Sequence, residues 1–353
     1  MIFEMFDVPF SALQLQQAAG FAFGILFGAL ALATGFCLRS AVLGAHSGQS
    51  DTAKSVWVIA FACAVTGSLI AERSGWIAVE EHPLRSTSLS YLAVVLGGLL
   101  FGFGAVLTRG CVSRLTVLSG TGNLRAAIVL LVFAITAHAM MKGVLAPLRL
   151  GLSSWKLELP YASLADVRFG AEAIVISVLF FTLITAWHSR VKFVTGLCAA
   201  LVGLLIPLAW ITTSVLIVDE FEPYSHQAVS FTLTWADTLF WSVASTAVPS
   251  GFGVQLVIGI IFGSFILAAF TGRLKLQGFD GTEQMLRYIA GGFCMGVGGV
   301  LAGGCSVGAG LSGAALFSFQ AFLALFAIIV GMRVTTYLLR IRTQEVRWSA
   351  AIH

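Results

Sequence analysis

The chain has 353 residues, 58% hydrophobic and 10% charged, with a mean hydropathy of +0.95. Soluble domains carry roughly 25% charged residues, so apolar surface on this scale cannot be hidden in a water-soluble core, and an all-α integral membrane protein is expected. A dispersed net charge of +4 argues against a nucleic-acid partner, and six cysteines without a CxxC pair or a short-spaced Cys/His cluster argue against a metal site or a disulfide framework.

The first apolar stretch, FAFGILFGALALATGF, has no basic residue before it, and Glu4 and Asp7 stand where a signal peptide is positive. It therefore reads as a retained span. A spanning helix needs about 20 mainly apolar residues. That rule predicts about nine transmembrane helices, at 18–38, 55–71, 90–108, 124–145, 171–188, 193–218, 252–271, 286–303 and 316–339. ADTLFWSVASTAVPSG (236–251) is too short and broken to cross, and reads as a re-entrant or half-length helix.

Loop charge sets the direction. Arg39 with Lys54, Arg190 with Lys192, Arg273 with Lys275, and Arg340, Arg342 and Arg347 mark the cytoplasmic side; Asp219, Glu220 and Glu222 mark the other. This places the N-terminus outside and the C-terminus in the cytoplasm of a bacterial inner membrane. The loop 146–170, with Arg149, Lys156 and Arg168, runs against that assignment.

Residues 97–111, GGLLFGFGAVLTRGC, align without a gap to 291–305, GGFCMGVGGVLAGGC, with eight of fifteen positions identical and both ending on a thiol. The similarity resumes as VLSG (117–120) against GLSG (310–313). With nine spans the two copies run in opposite directions, the inverted repeat of many secondary transporters. The expected units are a first repeat at 12–145, a connector with one span at 146–192, and a second repeat at 193–340, forming an hourglass-like pathway.

Each copy ends in a glycine-rich loop at membrane depth, where irregular backbone survives only against protein or a water-lined cavity. Gly110, Gly304 and Gly308 allow unusual dihedrals and close approach of backbone to a solute. Ser306 and Ser312 in one loop, and Ser113, Ser119, Thr121 and Asn123 in the other, could add polar donors. Cys111 and Cys305 present thiols, soft and weak S–H donors that suit a terminal sulfur better than a hard oxyanion. Cys37, in GFCLRS, is a candidate third contact. Cys63, Cys198 and Cys294 lie inside apolar runs and read as small apolar filler. His138 and Arg333 are ionisable groups within spans, which are costly there and candidates for function. Arg109, Arg114 and Arg125 read as positive-inside anchors.

At GFAFGILFGALALATGFCLRSA, GGLLFGFGAVLTRGCVSRLTVLSGTGN and GGFCMGVGGVLAGGCSVGAGLSGAALFS the chain resembles the YeeE/YedE family of sulfur-compound transporters. The resemblance implies an hourglass of inverted halves with short re-entrant helices. It also implies a pathway on which Cys37, Cys111 and Cys305 contact thiosulfate through S–H···S hydrogen bonds. Family members commonly act with a small TusA-like sulfur-carrier protein, which here would be a separate chain. The expectation is thus an importer of thiosulfate or a related small sulfur anion, not an enzyme and without a cofactor, working either by alternating access or by a channel-like relay. Two rivals stand beside it: a membrane thiol–disulfide electron carrier using Cys111 and Cys305, and a subunit whose glycines only pack helices.

Overall fold

In hydrocarbon only a helix or a closed barrel pairs every backbone N–H and C=O within itself, and the apolar runs fold as helices. The computed structural model describes residues 11–44, 50–77, 85–161, 163–167, 169–216 and 228–352. In chain order the helices are α1 (Ala12–Thr34), α2 (Leu38–Leu43), α3 (Ser50–Arg73), α4 (Tyr91–Leu107), α5 (Val112–Gly120) and α6 (Leu124–Lys142). They continue with α7 (Ala146–Ser153), α8 (Gly170–Ser189), α9 (Phe193–Ile211), α10 (Thr232–Ala244), α11 (Phe252–Phe270), α12 (Thr282–Leu301) and α13 (Phe319–Ile352). Two wide π turns, Thr212–Leu216 and Gly308–Gly313, interrupt the second part of the chain.

Among the described residues eight helices are long and apolar enough to cross a membrane. The chain is an all-α, multi-pass membrane protein. The expected span at 286–303 is α12, of membrane length but polar at its start, where Thr282, Glu283, Gln284 and Arg287 lower its hydropathy. The half-length helix expected at 236–251 is α10, which begins at Thr232 and ends at Ala244. Glu4, Asp7, Asp219, Glu220, Glu222 and Arg168 lie outside the described residues, as do the side chains of Arg342 and Arg347.

Local signals set the helix ends. Ser11 and Gln14 form a capping box at the start of α1, and Gly35 ends it in the left-handed region (φ 67°), with Phe36 N–H donating to Ala31 O at 3.1 Å. The Asn123 side chain accepts from Ala126 N at 3.1 Å and starts α6. At the other end of α6, Arg149 donates from Nε to Met140 O and from Nη2 to Met141 O, at 3.1 and 3.4 Å. A cation on the last carbonyls of a helix is favourable, so Arg149 serves as a cap for α6. A two-residue ladder, β1 (Ser88–Leu89) on β2 (Leu157–Glu158), ties the segment before α4 to the connector.

The long helices meet along glycine seams. On α1, a Cβ at Gly20, Gly24 or Gly28 would lie 2.3, 2.4 and 2.3 Å from carbonyl oxygens of α11. Between α4 and α12, a Cβ at Gly104 would lie 2.5 Å from Gly291 O, and one at Gly298 2.6 Å from Gly97 O. Small residues of this kind let membrane helices approach backbone to backbone, which is where van der Waals packing is strongest. α8 buries only Ala171 and Val175 and stands at the periphery against α3.

The contacts come in matched sets. α1 lies along α11 as α9 lies along α3; α4 lies along α13 as α12 lies along α6. α2 rests on α3 and α13 as α10 rests on α11 and α6, while α5 touches α1 and α11 as the turn 308–313 touches α9 and α3. One cross-link between two of the short helices is polar: Trp235 Nε1 on α10 donates to Thr116 Oγ1 on α5 at 2.9 Å. Trp235→Phe should therefore destabilise the protein by about 0.6–1 kcal/mol, read as a lower unfolding midpoint in detergent. An unchanged midpoint would mean that the bond carries no net stability.

Candidate functional site

All three candidate cysteines stand where a long helix breaks, and each break uses the same device. A residue in the left-handed region lies two positions before the thiol: Gly35 (φ 67°) before Cys37, Arg109 (φ 59°) before Cys111, and Gly303 (φ 76°) before Cys305. The chain then turns into a short element. Cys37 caps α2, Cys111 caps α5, and Cys305 leads into the 308–313 turn. The expectation that Gly110 and Gly304 carry the unusual dihedrals is corrected: their neighbours Arg109 and Gly303 do. Gly304 is instead a point of close approach, where a Cβ would lie 2.7 Å from Ala309 N. Arg109 takes a conformation that costs a non-glycine residue about 1–2 kcal/mol.

Two breaks converge. Cys37 Sγ lies 4.0 Å from Cys111 Sγ, and Cys111 Sγ lies 3.2 Å from Ser113 Oγ. Ser306, from the loop of the third break, reaches the same thiol. Cys305 Sγ accepts from Gly308 N at 3.3 Å and is flanked by Phe231 and Thr232 at the start of α10. A side chain at 308 would drive into Ser230, whose Oγ lies 2.9 Å from the Cβ position, so glycine here lets the turn close over the thiol. Cys111 and Cys305 are fully buried, Cys37 is 4% exposed, and all six cysteines are free thiols.

The hydroxyls divide into two groups. Ser119 donates to Thr116 O at 2.7 Å, Thr121 to Leu118 O at 2.8 Å, and Ser312 to Val229 O at 2.6 Å. Asn123 caps α6 and donates to Gln277 Oε1 at 2.8 Å. These four, expected as donors for a solute, hold backbone and neighbours instead. Ser113 faces the Cys111 thiol. Ser306 and Thr232 are each 1% exposed, and among the described residues neither hydroxyl has a hydrogen-bond partner of ordinary geometry. Such groups are expensive to bury in that state. Thr232 sits in the mixed stretch AVSFTLTWA (228–236), which belongs to no sequence repeat.

Positive charge gathers on one side. Arg39, two residues after Cys37, and Arg114, three after Cys111, bury Nε and Nη1 respectively, with no hydrogen-bond partner among the described residues. Counting outward from the thiols, Arg109 and Arg114 correspond to Gly303 and Gly308, so the Cys305 side carries no such charge. Arg125 is not a simple anchor, because it pairs with Asp280 at 3.1 Å and bonds the Gly278 carbonyl. His138 is half-buried and stacks on Phe240, with ring centroids 5.4 Å apart, while Arg333 is exposed on α13. Cys63, Cys198 and Cys294 are half-buried on long helices, away from the breaks.

A surface groove of about 290 Å³ between α6 and α10, lined by residues such as Leu131, Trp235 and Ser242, contains none of the cysteines. Among the described residues no three His, Cys, Asp or Glu side chains gather as a metal site.

Broken helices whose ends bring buried thiols and hydroxyls together stand at the centre of a multi-pass membrane protein. The chain belongs to the sulphur transport family, whose pattern matches residues 33–334, in agreement with the resemblance carried by the cysteine and glycine motifs. It is 25% identical over 367 aligned residues to the thiosulfate transporter TsuA of Escherichia coli (strain K12), a match covering 93% of this chain and 96% of that one. It is also 25% identical over 329 aligned residues to the thiosulfate transporter TsuA of Spirochaeta thermophila, covering 88% of this chain and 96% of that one.

Proposed function

We propose that this protein imports thiosulfate, or a closely related small sulfur anion, across the bacterial inner membrane along a path lined by Cys37, Cys111 and Cys305. The observation that carries the reading is the meeting of two helix breaks, which sets the Cys37 and Cys111 thiols 4.0 Å apart beside the hydroxyl of Ser113. Thiol S–H groups meet the polarisable terminal sulfur, and hydroxyls and loop N–H groups meet the oxygens. Neutral, weak contacts let the anion leave as readily as it enters. The arginines beside the Cys37–Cys111 pair attract it without gripping it at the narrowest point.

The matched helix contacts support an architecture of two halves, 12–145 and 193–340, joined by a connector whose one long helix, α8, turns the second half over. The N-terminus then lies outside and the C-terminus in the cytoplasm, where a separate TusA-like carrier would receive the sulfur. The transporter names of both relatives support a role in transport over one in catalysis.

A thiol–disulfide electron carrier draws on the same contact, with Cys37 taking the place expected for Cys305 as the partner of Cys111. Uptake of thiosulfate labelled at its outer sulfur, in cells stripped of their own importers, decides between them. Uptake well above vector controls is the expected result. No uptake, with Cys37 and Cys111 recovered as a disulfide from growing cells, would replace transport with electron transfer.

A further inference from the structure

We propose that Thr232 is a fourth member of the pathway: the counterpart of Cys37 in the other half of the molecule, whose hydroxyl holds the oxygen end of the sulfur anion while Cys305 meets its sulfur. The inference rests on the transport reading above and adds a residue and a chemical division of labour to it.

Three observations place Thr232 there. The first is the matched packing. α2 and α10 hold corresponding positions, each resting on one long helix of its own half and one of the other. Cys37 stands at the start of α2 and Thr232 at the start of α10, within the one-residue latitude of any helix boundary. The second is the aromatic residue just before each. Phe36 precedes Cys37 and Phe231 precedes Thr232, and both rings pack on Phe27 of α1, with centroids 6.1 and 5.6 Å away. Gly35-Phe36-Cys37 and Ser230-Phe231-Thr232 thus flank one ring. The third is the neighbour each one keeps. Cys37 faces the thiol of Cys111; Thr232 faces the thiol of Cys305, which occupies the matching place in the sequence repeat.

The Thr232 hydroxyl is 1% exposed and has no bond of ordinary geometry to spend it on. Gly299 on α12 lets that helix pack directly against it: a Cβ there would crowd Thr232, at 3.2 Å from both Oγ1 and Cγ2. A buried hydroxyl whose neighbour is only a weak thiol acceptor keeps its donor available for a stronger one. The two stations therefore differ in chemistry. Cys37 with Cys111 is a soft pair, whereas Thr232 with Cys305 is one hard and one soft donor. An anion with sulfur at one end and oxygens at the other satisfies the mixed pair with both ends. Sulfate gives the soft thiol only hard oxygens, and sulfide gives the hydroxyl only a soft sulfur, so each matches one donor and mismatches the other.

The test is labelled thiosulfate uptake by Thr232→Val and Thr232→Ser at matched membrane abundance, with apparent KM and maximal rate measured separately and sulfate as competitor. Val keeps the shape and removes the donor; Ser keeps the donor. The expected result is an apparent KM raised about tenfold or more in the Val variant, with the Ser variant within about twofold of wild type. If the Val variant does not accumulate in the membrane, Thr232→Ala takes its place with the same expectation. A Val or Ala variant with wild-type KM overturns the assignment while leaving transport intact. So does equal damage by Ser and Val, which would mark a packing role. A wild-type protein that imports nothing above vector overturns the transport reading and this assignment together.

Discussion

Cys111→Ser and Cys305→Ser should each lower thiosulfate uptake by about tenfold or more at matched membrane abundance. Serine is the most demanding replacement, because it keeps a donor at nearly the same place and changes only its softness. Both thiols are fully buried, so the solute would meet them without water between, and a hydroxyl in that position binds its own surroundings more strongly than a thiol does. At Cys305 the replacement would find Gly308 N–H already pointing at it, from 3.3 Å, and would accept that bond more tightly than sulfur. The donor that remains would prefer the oxygens of the anion to its sulfur, and discrimination built on contact with specific atoms is lost when those contacts are mismatched. Cys37→Ser leaves Cys111 with Ser113 and Ser306 beside it, and a smaller loss is expected. Uptake by labelled outer sulfur reads all three. Wild-type rates in both the Cys111 and Cys305 variants would remove the thiols from the pathway and leave helix packing as the meaning of the glycine motifs.

Gly24→Val should abolish accumulation of folded protein. A Cβ at Gly24 would lie 2.4 Å from Leu256 O, 2.8 Å from Gly259 Cα and 2.9 Å from Ile260 N, all of them backbone atoms of α11 that cannot rotate aside. The contact is mutual, since a Cβ at Gly259 would lie 2.4 Å from Phe21 O. Relief requires α1 and α11 to part by roughly an ångström along the seam. Overpacking typically costs 1–3 kcal/mol, and more where nothing can move. Size-exclusion profiles of detergent-solubilised protein provide the measurement, with Gly281→Ala as the control because nothing lies within 4 Å of that position and its backbone is extended. A monodisperse Gly24→Val protein of normal yield would show that the α1–α11 seam can open without penalty.

The architecture was legible where physics leaves a one-dimensional trace. Apolar runs of spanning length marked the long helices, and the repeat GG…G.G.VL..GC exposed two of the three breaks because glycine seams and thiols recur in fixed register. The relation proposed between Cys37 and Thr232 left no such trace: Phe36 and Phe231 are the only identity across the two triplets, and the case for it comes from packing in three dimensions. Hydroxyl roles were misread for a related reason. Ser119, Thr121 and Ser312 look like Ser113 and Ser306 in the sequence, yet a hydroxyl near a helix end can bond a carbonyl three residues back or a neighbouring strand of backbone, and that competition is settled in three dimensions. Arg109 shows the limit of residue-type reasoning for backbone, since it adopts the left-handed turn that its counterpart Gly303 takes at no steric cost.

The glycine seams also bear on how the molecule moves. Helices in backbone contact along α1–α11, α4–α12 and α4–α13 form a stiff frame, because any rocking of one against another either collides or abandons its closest contacts. Compliance is concentrated in the short pieces between them: the turns before Cys37, Cys111 and Cys305, and the 228–232 approach to α10. Rearrangements of segments that size run on nanosecond-to-microsecond timescales, whereas domain rocking takes microseconds to milliseconds. For the transport we propose, such a frame favours opening by small, local hinging, with turnover set by release of the anion from the thiols rather than by the swing of one half against the other.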